Sequence, residues 1–327
     1  MLGVLLHKKR NQLMASYPPT TAVAPDERRD LLQASMRSLL DQRADAARGL
    51  NQLEMQLEYM AYDLMSKKDD PQDVERYDGT LGVTRPFVDD YQRPVGQLRW
   101  LDLADKFSEE DRGTLSGQKW GSGALISDDL FLTAGHCFAQ VHPGWQVPQR
   151  NGSPISQKEI ARLMCACFNY QINGKTGETR TDVCFPVVEL VECFPSAAYP
   201  DPNLDFAIVR LGRDEERGLL PGKVFGSLKL AKQDLTIKNA ILCVIQHPNR
   251  REKKVEAGHL LDIRDGRIAY NDIGTIAGSS GSPILDGSNG EIVGVHIKGG
   301  SLPIGGFNSG TAVGAIRANS KILDSLC

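Results

Sequence analysis

From Leu115 onward, short apolar runs are broken at regular intervals by glycine and aspartate, and this pattern constrains the fold more than any other feature. Trp120-Gly121-Ser122-Gly123-Ala124-Leu125-Ile126 leads through an Asp128-Asp129 turn into Leu130-Phe131-Leu132-Thr133, which reads as a hairpin. Further strand candidates are Val187-Val188-Glu189-Leu190-Val191-Glu192, residues 240–246 ahead of Pro248, Arg267-Ile268-Ala269-Tyr270-Asn271 and Glu291-Ile292-Val293-Gly294-Val295-His296. Many short strands with Gly/Asp turns predict a mainly β protein built as a double β-barrel. The 32 glycines and 41% hydrophobic content fit that architecture.

Three segments stand out inside this pattern. The hairpin runs on into Ala134-Gly135-His136-Cys137. An apolar strand opens with Leu204-Asp205-Phe206-Ala207-Ile208-Val209-Arg210-Leu211, and a turn of small residues follows at Gly278-Ser279-Ser280-Gly281-Ser282-Pro283. A serine hydroxyl is a weak nucleophile at neutral pH and needs a base to take its proton during attack on a carbonyl. Imidazole can do this, and a carboxylate behind it fixes the tautomer and stabilises the imidazolium. On this reading Ser280 is the nucleophile, His136 the general base and acid, and Asp205 the orienting carboxylate. Ser280 is preferred over Ser279 and Ser282 because glycines bracket it, and the N–H groups of Gly278 and Ser280 are expected to form the oxyanion hole. Among the aspartates, Asp182 and Asp201 are alternatives, but only Asp205 opens an apolar strand able to reach the interior.

The N-terminal third differs in character. Residues 1–25 read as a flexible lead. Asp26 is a plausible N-cap, and spacings of four and three then select Leu32, Met36, Leu39, Arg43, Ala46, Leu50, Leu53, Leu57, Met60 and Leu64. Residues 26–68 are thus expected to form a long helical, coiled-coil-like arm, with Gly49 as its weak point. It would serve self-association, docking on a regulator, or packing on its own protein. Residues 69–114 are charged and turn-rich and read as a connector, leaving residues 115–327 as the β domain.

Composition excludes several classes. A net charge of -3 gives no basic footprint for nucleic acid. Leu2-Gly3-Val4-Leu5-Leu6 is short and precedes its basic residues instead of following them, unlike a secretory signal, and no window is long enough for a membrane span. Seven cysteines cannot all pair within the chain, so reduced, mostly buried thiols and a cytoplasmic location are expected. Cys165-Ala166-Cys167 is too short for the usual zinc-ribbon spacing, so no metal is expected.

The segments ending in His136-Cys137, opening at Leu204-Asp205 and running from Gly278 to Pro283 resemble those of the trypsin-like serine peptidases of the chymotrypsin superfamily. The Ser-Gly-Ser-Pro ending and Val293-Gly294-Val295-His296 are most similar to the bacterial glutamyl endopeptidases. The likeness spans roughly residues 115–320. It implies two six-stranded β-barrels with the site in the cleft between them, and hydrolysis of a protein or peptide without metal or organic cofactor. It also exposes departures. The strand before His136 lacks the cysteine that vertebrate trypsins bridge to the position of Cys137, so Cys137 is expected to be free. Ser279 stands where those enzymes carry the aspartate that captures a newly formed N-terminus. Gly274 occupies the position whose aspartate selects basic residues, so Arg/Lys cleavage is not expected. Thr275 and His296 match the pocket of the glutamyl branch and imply cleavage after Glu or Asp, while Gly299 and Gly300 are expected to leave space for substrate backbone along the strand. An intracellular, regulated endopeptidase is the leading expectation. A secreted protease with an N-terminal propeptide and a catalytically silent binding module are the alternatives.

Overall fold

Alternation of apolar and polar residues sorts each strand into one barrel face, and the computed structural model shows where those faces meet. It describes residues 71–141, 145–194, 204–214, 216–299 and 307–323. The chain divides into units 1–50 and 51–327, and every described residue lies in the second. The flexible lead and the helical arm expected at 26–68 lie outside the described residues. Among the described residues no helix is long and apolar enough to cross a membrane.

In chain order the described strands are β1 (Gln72–Asp73), β2 (Val95–Trp100), β3 (Lys119–Leu125), β4 (Leu130–Thr133), β5 (Gln149–Arg150), β6 (Ser153–Pro154), β7 (Met164–Phe168), β8 (Val183–Phe194) and β9 (Phe206–Leu211). They continue as β10 (Ile241–Gln246), β11 (Lys254–Arg264), β12 (Arg267–Asn271), β13 (Pro283–Asp286), β14 (Ile292–Lys298) and β15 (Asn308–Ala312). A short helix at Arg85–Tyr91 begins at Thr84, whose hydroxyl accepts from the Phe87 N–H at 3.3 Å. A second, Val313–Asn319, follows β15 and buries Val313 and Ile316.

The first barrel closes in the order β2-β3-β4-β9-β8-β7. Its interior holds Leu98, Phe131, Phe168, Phe185 and Val209, all fully buried. The second closes through β11-β10-β13-β14-β15-β12, with β12 returning to β11 and β1 added at Gln72 opposite Val255. Its interior holds Leu242, Val244, Ile268, Tyr270 and Ile284. The third apolar cluster joins the barrels, packing Leu132, Phe206 and Ile208 with Cys243, Ile245 and Val295. Thus β9 is buried on both faces. Ala207 and Val209 enter the first barrel while Phe206 and Ile208 face the second, which is why its sequence reads as a nearly continuous apolar run. Phe206, Ile208 and Val209 each contribute about 1.5–3 kcal/mol of burial.

Three expectations need correction. The barrel begins before residue 115, because β2 at Val95–Trp100 is one of its staves. Flanking charges at Asp89, Asp90, Asp102 and Asp105 mask the strand in a composition reading. Cys167 and Cys184 are bridged, against the expectation of reduced thiols; antiparallel pairing of β7 with β8 sets them directly opposite each other. Cys137 is free, as expected, as are Cys165, Cys193 and Cys243. Finally, the basic stretch at 250–254 reads as a solvated hairpin tip, yet Lys253 is fully buried. Its Nζ donates to the Gln92 carbonyl at 2.8 Å, and burial pushes its pKa down to about 7.

Candidate active site

β4 ends at the barrel junction, and a single helical turn over Gly135–Phe138 brings out His136. Gly135 is required there, since a Cβ would lie 2.7 Å from the Phe194 carbonyl oxygen and 2.9 Å from that of Phe206. Asp205, just before β9, is 1% exposed. Its Oδ2 is 2.8 Å from His136 Nδ1, and its Oδ1 accepts from the His136 backbone N–H at 2.9 Å. Both carboxylate oxygens therefore hold one residue. Burial alone would disfavour the imidazolium, but the charge of Asp205 and its hydrogen bond outweigh it and raise the His136 pKa above the ordinary value.

The second barrel reaches across to this pair. Thr311 on β15 donates its hydroxyl to the Asp205 carbonyl at 2.8 Å and accepts from the Asp205 N–H at 3.1 Å. Thr311 lies in the polar run Asn308-Ser309-Gly310-Thr311, and nothing in the sequence signals its role.

Ser280 sits in the loop ahead of β13. Gly278 and Gly281 adopt φ values of 99° and 87°, a conformation that disfavours side chains. Gly281 is also tightly enclosed, with a Cβ there falling 2.1 Å from Thr133 Oγ1 and 2.2 Å from the Ser122 carbonyl oxygen. Of the three serines, Ser279 and Ser282 are fully buried with their hydroxyls engaged. Ser279 Oγ accepts from the Ile276 N–H at 3.2 Å, and Ser282 Oγ donates to the Ser279 carbonyl at 2.7 Å. Ser280 is half-buried, and among the described residues its hydroxyl has no hydrogen-bond partner, His136 included. Loop packing brings its segment against the one that carries His136, for Gly121 lies against both Ser280 and Cys137, a Cβ there meeting the Ser280 carbonyl oxygen at 3.0 Å and Cys137 Sγ at 3.1 Å. The N–H groups of Gly278 and Ser280 have no acceptor among the described residues, which leaves them free for an oxyanion.

Ser122, which the sequence reading passed over, holds this loop from the first barrel. Its N–H donates to the Ser280 carbonyl at 2.8 Å, and its hydroxyl donates to the Gly278 carbonyl at 2.8 Å while accepting from the His247 N–H at 3.0 Å. The available signal was its place between Gly121 and Gly123, two residues that permit close backbone approach. Ser122→Ala leaves the buried Gly278 carbonyl and His247 N–H without this partner, a cost of about 1–3 kcal/mol. We expect unfolding at lower denaturant concentration and a kcat lowered about tenfold with KM little changed, as a shifted loop would produce. Unchanged kcat would show that the contact does not position the loop.

The expected specificity residues lie on the second-barrel side. His296 on β14 is 2% exposed, and its Nδ1 is 2.7 Å from the Tyr270 hydroxyl. Burial, and secondarily the charge of His136, push its pKa down to about 3, so it is neutral. Thr275 Oγ1 donates to Asn308 Oδ1 at 2.7 Å. Gly299 packs on Thr275, where a Cβ would lie 2.7 Å from Oγ1. Thr275 and His296 share no hydrogen bond among the described residues; their respective partners, Asn308 and Tyr270, lie opposite each other where β15 pairs with β12. Tyr270 and Asn308 carried no sequence signal.

The family model for a trypsin-like peptidase domain matches residues 121–295. No curated protein matches the chain in sequence. Solved structures similar to it include a Glu endopeptidase in complex with MPD, at 17% identity and TM-score 0.44, covering 69% of this chain and 87% of that one. Others are the thermostable serine protease AL20 from an extremophilic microorganism (16% identity, TM-score 0.47, covering 72% and 98%) and the protease Anisep from Arthrobacter nicotinovorans (15%, 0.46, 70% and 94%).

Proposed function

The chain belongs to the trypsin-like peptidases and is a serine endopeptidase, and from that premise we propose that it cleaves polypeptides after acidic residues through an acyl-enzyme on Ser280. The observation that carries the assignment is the pairing of His136 with buried Asp205 beside a loop that leaves Ser280 half-buried and fully buries Ser279 and Ser282. Ser280 Oγ attacks the scissile carbonyl while His136 Nε2 takes its proton and Asp205 holds Nδ1–H. The N–H groups of Gly278 and Ser280 stabilise the oxyanion, and His136 then protonates the leaving amine. Water repeats the sequence to release the acid.

The preference for Glu or Asp is supported by His296 and Thr275. In the tautomer whose Nδ1 accepts from the Tyr270 hydroxyl, neutral His296 has its proton on Nε2, the donor that a substrate carboxylate needs. Gly299 lets the end of β14 pack directly on Thr275, since a Cβ there would lie 2.7 Å from Thr275 Oγ1. Profiling the purified chain on a peptide library, with fluorophosphonate labelling to count active sites, tests the reading. Cuts should concentrate after Glu and Asp, and His296→Leu should lower kcat/KM on those sites about 10²-fold or more while labelling persists. Cuts after apolar residues in both proteins would overturn the specificity but leave the endopeptidase.

Regulation and location belong to the same proposal. The apolar spacing of residues 26–68 supports an arm for self-association or for docking on a regulator. Four free thiols among the described residues support a cytoplasmic protein.

A further inference from the structure

β7 turns Met164, Ala166 and Phe168 into the first barrel, which places Cys165 and Cys167 together on its outer face. Their sulfurs are 3.6 Å apart. Across the ladder Cys184 on β8 lies opposite Cys167 and is bridged to it, and the three sulfurs all fall within 4.8 Å of one another. The third thiol comes from a neighbouring strand at a sequence separation of 17, so no local spacing announces the group. It lies on the barrel exterior and takes no part in the His136–Asp205 pairing.

We propose that this trio is a redox-gated zinc site, closed as the Cys167–Cys184 disulfide and metal-binding once that bridge is reduced. Thiolates held on zinc at about 2.3 Å stand about 3.8 Å apart in a tetrahedron, close to the spacing already present between Cys165 and Cys167. Soft sulfur ligands favour a d¹⁰ cation over magnesium or calcium. Arg99 on β2 lies opposite Cys165 in the ladder and supplies a positive charge against the net negative charge of three thiolates on a divalent ion. Its guanidinium is also paired with Asp182. Cys184 is exposed, giving reductant and metal a way in, and water completes the fourth position.

The chemistry balances in two steps. A dithiol or phosphine supplies two electrons to the sulfur–sulfur bond, and two protons from solvent or thiol yield Cys167 and Cys184 as thiols. Zinc then displaces three protons from the three thiols as it forms three Zn–S bonds. In the reverse direction a disulfide oxidant takes two electrons from Cys167 and Cys184, re-forms the bridge and leaves Cys165 alone, which cannot retain the ion.

Cobalt(II) added to the full chain, after reduction by a phosphine without oxygen, tests this through thiolate-to-cobalt charge-transfer absorption. One cobalt per chain is expected, displaced mole for mole by zinc. Cys165→Ser and Cys184→Ser should each weaken binding at least tenfold, and Cys184, being exposed, can be replaced without touching the core. The chain treated with oxidised dithiothreitol should take up no cobalt until reduced again. Absence of the absorption in the reduced wild type would overturn the proposal. So would absorption undiminished in both variants, which would assign the cobalt to thiols elsewhere.

Discussion

Ser280→Ala will lower kcat by about six orders of magnitude and abolish fluorophosphonate labelling, leaving only the residual acceleration that an oxyanion hole and substrate binding supply. The expectation rests on accessibility within one short loop. Ser279 and Ser282 each directly follow one of the same glycines, but both are fully buried and their oxygens serve the loop itself. Of the three serines, Ser280 alone is not fully buried. The substitution deletes one half-exposed oxygen that makes no hydrogen bond among the described residues, so the thermal midpoint should scarcely move. Persistent labelling of the alanine variant would transfer the nucleophile to another residue and sink the assignment.

Asp205→Asn comes next in size, with an expected loss in kcat of about 10⁴-fold. An amide at this position must direct either its oxygen or its nitrogen at His136 Nδ1, while the other atom meets the His136 backbone N–H that now donates to Oδ1. Two donors then compete for one amide oxygen. If the oxygen stays on the backbone N–H, the amide N–H faces Nδ1 and forces the proton onto Nε2, so the imidazole can no longer accept from serine. The pH profile provides a second readout. His136 acts only when neutral, and the Asp205 charge raises its pKa, so the acid limb of kcat/KM in the wild type should lie above the ordinary imidazole value of about 6.5. Activity is then present above that raised pKa and lost as pH falls through it. In the asparagine variant the limb should move to lower pH because the charge is gone while burial remains. A limb that stays in place would show that another group controls it.

How much of this was legible in the sequence depended on how local each feature is. The strand delivering His136, the apolar run after Asp205 and the glycines around Ser280 are contiguous signals set by backbone geometry, and each sits where its pattern indicates. β10 and β12 likewise follow from unbroken apolar or alternating runs. Features made by pairing distant strands were hidden. β2 carries too few apolar residues among its charged neighbours to stand out until its register with β3 and β7 is known. The Cys167–Cys184 bridge depends on register, and so does the contact between Thr311 and Asp205. Lys253 misleads for the opposite reason. Its charge argues for solvent, but the chain fixes its backbone N–H on the Tyr170 carbonyl and leaves the ammonium a carbonyl acceptor inside the protein.

The hold of Thr311 on Asp205 has a bearing on how such a molecule can change over generations. The acid is carried by one barrel and its backbone brace by the other, while the nucleophile's loop grows from the second barrel and is fastened by Ser122 of the first. Neither half owns a working portion of the chemistry. A duplicated or exchanged barrel would arrive without the partner surface that sets its own reactive groups, so the halves are bound to vary in concert along the seam while their outer faces remain free to diverge.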